Sequence, residues 1–174
     1  MKIYLIRHGD PDYDQVTAAK YVGFGRDLSR LSEAGIQRAR SIADNPIFDN
    51  IEQLVVSPYT RTMQTALEII KVRAKELPVS VELLLHEWLP DKTGTKLKNP
   101  EQVKAAYLDY TNGTKFAELE CETQTEVFER VKKVFDSYKQ RNYQAIACVT
   151  HAEVIKLFAH VERVDYCEIY EIDY

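Results

Sequence analysis

The chain has 174 residues, 45% hydrophobic and 29% charged, with 23 Lys+Arg against 27 Asp+Glu. That is the composition of one globular domain over residues 1–174, long enough to bury about 70% of its unfolded surface in a single core without disulfides or a structural metal. A net charge of −4 supplies no general basic field, which speaks against nucleic acid as a partner, and no stretch approaches the ~20 apolar residues of a membrane span.

In chain order, Ile3–Ile6 is a continuous apolar run that ends on polar residues, the pattern of a buried strand entering a functional loop. Residues 9–30 read as loop. From Ser32, Ile36, Ala39, Ile42 and Ala43 recur at helical spacing up to Asn45-Pro46. Leu54-Val55-Val56 marks a second buried strand over 53–57. Ser57-Pro58 follows at once and predicts a helix with Ser57 as N-cap, whose apolar face is Met63, Ala66, Leu67 and Ile70. Residues 79–85 read as a third strand leading into His86-Glu87-Trp88. Residues 89–121, with Pro90, Gly94, Pro100 and Gly113, read as an irregular excursion holding one short helix near 101–109.

Thr123-Gln124-Thr125-Glu126 is a capping box, and Val127, Val131, Val134, Phe135 and Tyr138 form the apolar stripe of the helix behind it. Residues 145–149 form a fourth buried strand, followed by a helix on Val154, Ile155, Phe158 and Ala159, and residues 167–172 an edge strand. Strands alternating with helices predict an α/β fold: a three-layer sandwich with a mostly parallel sheet and helices on both faces. Cys121, Cys148 and Cys167 are odd in number and lack any Cys-x-x-Cys spacing, which fits reduced thiols and a cytoplasmic location. The apolar run after Met1 is too short for a signal-peptide core.

The unusual polar residues all fall after strands: Arg7-His8, Arg61, His86-Glu87 and His151. In a parallel sheet those carboxyl ends share one edge, where ligands sit. Arginine forks match paired phosphate oxygens, and helix N-termini after Ser57 and His151 would add N–H groups. A neutral imidazole among them can attack phosphorus, and a carboxylate at Glu87 can protonate a departing alkoxide.

These residues resemble the histidine phosphatase, or phosphoglycerate-mutase-like, superfamily over most of the chain. Its Arg-His-Gly triplet stands as Arg7-His8-Gly9 and its Leu-Ser/Thr-Glu-x-Gly stretch as Leu31-Ser32-Glu33-Ala34-Gly35. Its Ser-Pro-x-x-Arg-x-x-Gln-Thr-Ala block runs complete from Ser57 to Ala66. Leu85-His86-Glu87 resembles the segment that holds the acid, and Val149-Thr150-His151 the one that holds the second histidine.

The resemblance implies that His8 takes the phosphoryl group, that Arg7, Arg61 and His151 hold its oxygens, and that Glu87 serves as acid and then base, with no metal and no organic cofactor. The expected activity is phosphomonoester hydrolysis on a phosphorylated small molecule or phosphopeptide. A phosphoglycerate-type mutase and a non-catalytic phosphate-binding module are the alternatives, and the oligomeric state is open. The chain departs from mutase-like members at Pro11 and Asp14, where Thr or Ser and Asn usually contact phosphate, at Trp88-Leu89-Pro90-Asp91 after the acid, and at Ala152 in place of glycine.

Rival readings of the same residues are weaker. Asp91 and Glu82 are the other carboxylates near the acid position. Asp10-x-Asp12-x-Asp14 lacks the Gly and Glu of a calcium loop and reads instead as a polar rim, one that would favour a cationic substrate group. A metallohydrolase would need a ligand spacing that is missing, and two arginines would repel the cation. His86 and His160 read as structural, and the 11 tyrosines as scattered packing.

Overall fold

The computed structural model describes residues 1–73, 76–114 and 116–174. In chain order it contains β1 (Lys2–Arg7), β2 (Pro11–Asp12), α1 (Asp14–Ala18), a 3₁₀ segment over Gly23–Leu28, β3 (Arg30–Leu31), α2 (Glu33–Ser41), α3 (Ile47–Asn50), β4 (Gln53–Val56) and α4 (Thr60–Val72). There follow β5 (Val79–Val81), a 3₁₀ turn over Leu83–Leu85, α5 (Pro100–Asn112), α6 (Gln124–Gln140), β6 (Ala145–Thr150), α7 (Ala152–Ala159) and β7 (Ile169–Asp173).

The apolar runs form the centre of a five-stranded sheet in the order β5-β4-β6-β1-β7. All neighbours pair in parallel except β7, which runs antiparallel to β1 at the edge. Because side chains alternate across a strand, each run feeds two cores. Ile3, Leu5, Val55, Ile146 and Cys148 pack against α5, α6 and α7, whereas Tyr4, Ile6, Leu54, Val56 and Val149 pack under α3 and α4. Fully burying side chains of this size contributes about 1.5–3 kcal/mol each, and this explains why continuous apolar runs settle at the centre of a doubly covered sheet. The predicted three-layer α/β architecture is the observed one.

Local chemistry sets the helix starts. Thr123 and Glu126 close the capping box at α6, Ser32 Oγ accepts from Gly35 N at 3.0 Å at α2, and Asn99 Oδ1 accepts from Gln102 N at 3.0 Å before Pro100 at α5. The α5 helix is longer than the sequence implies, thirteen residues, and Gly113 ends it in the left-handed conformation (φ 69°).

Other elements depart from expectation. The segment 9–30 is not plain loop: it holds β2, α1, the 3₁₀ segment and the start of β3, which pairs with β2. The helix after β4 begins at Thr60 with Tyr59 as N-cap, two residues beyond the predicted cap, because Ser57 is engaged elsewhere. The third strand stops at Val81, and a 3₁₀ turn completes the stretch read as strand. Helix α2 ends at Ser41 and the short α3 follows; β7 begins at Ile169, after a left-handed Cys167 (φ 58°). The three cysteines are free thiols, and among the described residues no helix is long and apolar enough to cross a membrane.

Candidate active site

The strand register brings the site together. Arg7 lies beside Thr150 and Val56 beside Val149, so the residues that follow β1, β4 and β6 (His8, Ser57 and His151) emerge side by side. Their backbones are tied across the edge: His8 N donates to Thr150 O at 3.1 Å and Ser57 N to Val149 O at 3.0 Å. The rings of His8 and His151 stand edge to face with centroids 5.2 Å apart.

His8 is 4% exposed, and its Nδ1 lies 2.7 Å from Gly9 O. A carbonyl only accepts, so Nδ1 carries the proton and Nε2 the lone pair. Arg61 Nε donates to that Nε2 at 3.2 Å. Burial first, then the charges of Arg61 and Arg7, hold the His8 pKa well below the ordinary histidine value. The imidazole is therefore neutral at pH 7, with its lone pair aimed at the arginine.

Ser57, Arg61, Thr62, Gln64 and Thr65 in the stretch from Ser57 to Ala66 each have a hydrogen-bond partner. Ser57 Oγ meets His151 Nε2 at 2.7 Å, Gln64 Oε1 accepts from Leu31 N at 2.7 Å, and Thr65 Oγ1 accepts from Gly9 N at 3.0 Å. The glycines Gly9 and Gly35 let two backbone segments touch: a Cβ on Gly9 would meet Gly35 O at 2.7 Å, and one on Gly35 would meet Asp10 O at 2.3 Å.

Around this centre the arginines are stacked and tethered. Arg61 is buried over the Tyr59 ring at 4.9 Å, with Asp27 Oδ1 at 3.5 Å and Ser29 Oγ at 3.4 Å from its Nη1. Arg7 donates from Nη1 to Val164 O at 2.5 Å and lies 3.9 Å over the Tyr166 ring. Its Nε and His151 Nδ1 are buried without a hydrogen-bond partner among the described residues. Burial is the main cause that holds His151 neutral, with Arg61, His8 and His86 adding to it.

Glu87 shares a cavity of about 210 Å³ with Arg61. One of its oxygens accepts from Trp88 N at 2.9 Å, and burial, reinforced by the Glu153 carboxylate, pushes its pKa up to about 7. The rival carboxylates are placed differently. Asp91 is fully engaged by Thr93, Lys96 and Leu97, whose N–H and O–H groups hold its pKa low despite burial. Glu82 accepts from Tyr138 Oη at 3.2 Å and does not line the cavity.

Residues 3–173 match the histidine phosphatase superfamily (branch 1). The chain belongs to that superfamily. Membership makes it an enzyme of the phosphatase kind. Its fold is that of solved relatives at low identity. The mycobacterial glucosyl-3-phosphoglycerate phosphatase complexed with VO3 is 16% identical, with a TM-score of 0.74 over 99% of this chain and 90% of that one. Bacillus stearothermophilus YhfR is 18% identical, TM-score 0.73, over 99% and 90%. The phosphoserine phosphatase mutant of Entamoeba histolytica, complexed with phosphoserine, is 21% identical, TM-score 0.68, over 98% and 89%. No curated protein sequence matches the chain.

Within this histidine phosphatase, Arg7, His8, Arg61 and His151 come together as the sequence implies, and Glu87 joins Arg61 from the far side of the cavity. Asp27, Ser29, Tyr59 and Tyr166 were not anticipated. Tyr59 falls at an open position of the motif block, and nothing in sequence separates the others from ordinary loop residues. The aspartates do not form a free polar rim: Asp10 pairs with Arg38 at 3.0 Å and Asp12 with Arg30 at 3.2 Å. His86 stacks on Tyr59 (centroids 6.4 Å, 25°), and His160 ends α7 in the left-handed conformation (φ 54°).

Proposed function

We propose that the chain hydrolyses phosphomonoesters through a covalent phosphohistidine on His8, with no metal or organic cofactor taking part. The observation that carries this reading is the His8 tautomer: Nδ1–H donates to Gly9 O, which leaves a neutral Nε2 lone pair against a buried guanidinium. As a phosphoryl group arrives, that lone pair turns to phosphorus. The N–H groups of Arg61 and Arg7 then turn to the equatorial oxygens. A hydroxyl donated by Ser57 to His151 Nε2 puts the other proton on the unpartnered Nδ1, a further donor toward those oxygens.

Glu87, with its pKa near 7, holds a proton for the leaving alkoxide and takes one back from water as that water attacks the phosphohistidine. Hydrolysis is favoured over mutase chemistry because the two positions that would add phosphate contacts are Pro11, which has no N–H, and Asp14, an exposed carboxylate at the start of α1. The substrate class is a phosphorylated small molecule, and the reduced thiols fit a cytoplasmic setting.

The test is to quench a reacting sample without acid and analyse its peptides by mass. One phosphoryl group should appear on the peptide containing His8, labile to acid and stable to base. The His8→Ala variant should lack it and lose at least about 10⁴ in kcat, and chelators should leave the wild-type rate unchanged. Full activity in His8→Ala, or inactivation by a chelator, overturns the reading.

A further inference from the structure

Beside the phosphate-facing cavity a second, wider groove of about 450 Å³ opens to solvent. The two share Phe24, Asp27 and Leu89, so one runs into the other, and Asp27 itself touches Arg61. The walls of the outer groove are Leu28, Pro58, Leu83, Leu84 and Leu89. Leu28 is 53% and Leu83 69% exposed, an arrangement that leaves large apolar side chains in water beside a polar site. Tyr59 and His86 also line it, their rings near parallel with centroids 6.4 Å apart, and Tyr59 meets the His151 ring edge to face at 4.9 Å. No lysine or arginine lines this groove among the described residues, and Asp27 is its one carboxylate.

Resting on the hydrolase reading above, we infer that this groove is the leaving-group subsite, and that it selects phosphomonoesters of flat, apolar alcohols, aryl ones above all, over those bearing a carboxylate or a sugar. The phosphoryl group at Arg61 fixes one end of the substrate. A planar ring attached to it lies between the leucines and against the Tyr59 and His86 rings, where burial and aromatic contact both favour it. A carboxylate in the same place would face Asp27 with no cation to pair with it.

The test compares phenyl phosphate, 1-naphthyl phosphate and 3-phosphoglycerate. The two aryl leaving groups have similar acidity, so their ratio reports the second ring. The kcat/KM for naphthyl phosphate should exceed that for phenyl phosphate by about tenfold, the gain expected from burying one more ring, and 3-phosphoglycerate should be the poorest. Leu28→Ser and Leu83→Ser change exposed positions, so both should fold. They should erase the naphthyl advantage, with kcat/KM for naphthyl phosphate falling by about tenfold to the level of phenyl phosphate.

Calorimetric binding of the same esters to His8→Ala separates the two readings. A naphthyl preference in binding that the serine variants abolish upholds the groove even if no ester is hydrolysed. Hydrolysis with equal rates for phenyl and naphthyl phosphate overturns the groove and leaves the hydrolase standing. Preference for a phosphopeptide with apolar flanks over every small ester overturns it, as does a dimer in sedimentation that Leu83→Ser dissociates without altering ester preference.

Discussion

His8, Ser57 and His151 each stand one residue beyond a buried strand, and the ladder hydrogen bonds that hold the strands also fix where those side chains begin. Glu87 has no such support. It lies past β5 and a 3₁₀ turn, in a stretch without regular structure, and is held by side chains. Arg130 of α6 donates to Leu84 O at 2.7 Å and to Glu87 O at 3.2 Å, and its own charge is met by Glu122 at 2.8 and 3.0 Å. Glu122 also accepts from Leu89 N and, through its carbonyl, from Trp88 Nε1. In the proposed mechanism the phosphoryl half of the site is thus built on sheet geometry, and the leaving-group half rests on the Arg130–Glu122 ion pair and on the Thr150 Oγ1 bond to Leu85 O.

The widest expected split between the halves comes from Glu87→Gln. The amide keeps the shape and cannot supply a proton, so kcat/KM on alkyl phosphates should fall by about 10²–10⁴. On p-nitrophenyl phosphate, whose phenolate leaves unprotonated, the loss should be clearly smaller. In the wild type, kcat/KM on alkyl esters should decline as pH rises through about 7, where Glu87 loses its proton. An unchanged ratio of the two substrates in the variant removes Glu87 from the acid role.

The ion pair gives the next largest effect. Glu122→Ala leaves the buried Arg130 charge without its counter-ion, which should cost about 3–5 kcal/mol in urea unfolding. If the comparison is right, the folded fraction still binds inorganic phosphate with nearly the wild-type constant, because His8, Arg61 and His151 do not depend on that pair. Loss of phosphate binding in step with stability would show that the two halves are one unit.

Legibility in the sequence follows the same division. The strand ends were readable because apolar runs of three to five residues stop abruptly at Arg7-His8, Ser57 and Thr150-His151, and a parallel sheet leaves those ends nowhere to go but one edge. The helix start at Ser57 was misread because a serine before proline looks like an N-cap whether its hydroxyl caps a helix or, as here, binds His151. Asp27, Tyr59 and Tyr166 act through stacking and tertiary contact, which leave no periodicity. The fully capped Asp91 and the paired Asp10 and Asp12 show the converse: carboxylates in a loop look free until their partners, distant in sequence, are placed.

A smaller and more uniform effect is expected on the rigid half. Arg61→Lys removes the planar fork that reaches His8, Ser29 and Asp27 together, and losing such a contact to the transferring group costs roughly 10²–10³ in kcat. The loss should be the same for alkyl, aryl and nitrophenyl esters. A loss that depends on the leaving group would mean that Arg61 serves the other half as well.

The smallest effect is one of stability, and it has a definite sign. Glu87 titrates near 7 in the folded chain against an ordinary value of 4.5, so the folded state holds its proton more tightly than the unfolded state does. The stability this contributes is fully present below about 4.5 and is lost as pH rises toward 7, above which the enzyme carries a half-buried, ionised carboxylate. Gln at this position stays neutral throughout. Glu87→Gln should therefore match the wild type near pH 4.5 within the effect of the substitution itself. It should gain on the wild type by about 1–3 kcal/mol near pH 8, seen as about 2–4 °C in Tm per kcal/mol for a domain of this size. A carboxylate held by the sheet edge and well hydrogen-bonded in its charged form would give the opposite slope. A constant difference in Tm across that range would mean that Glu87 is solvated like any loop residue, and the contrast between the two halves of the site would lose its electrostatic basis.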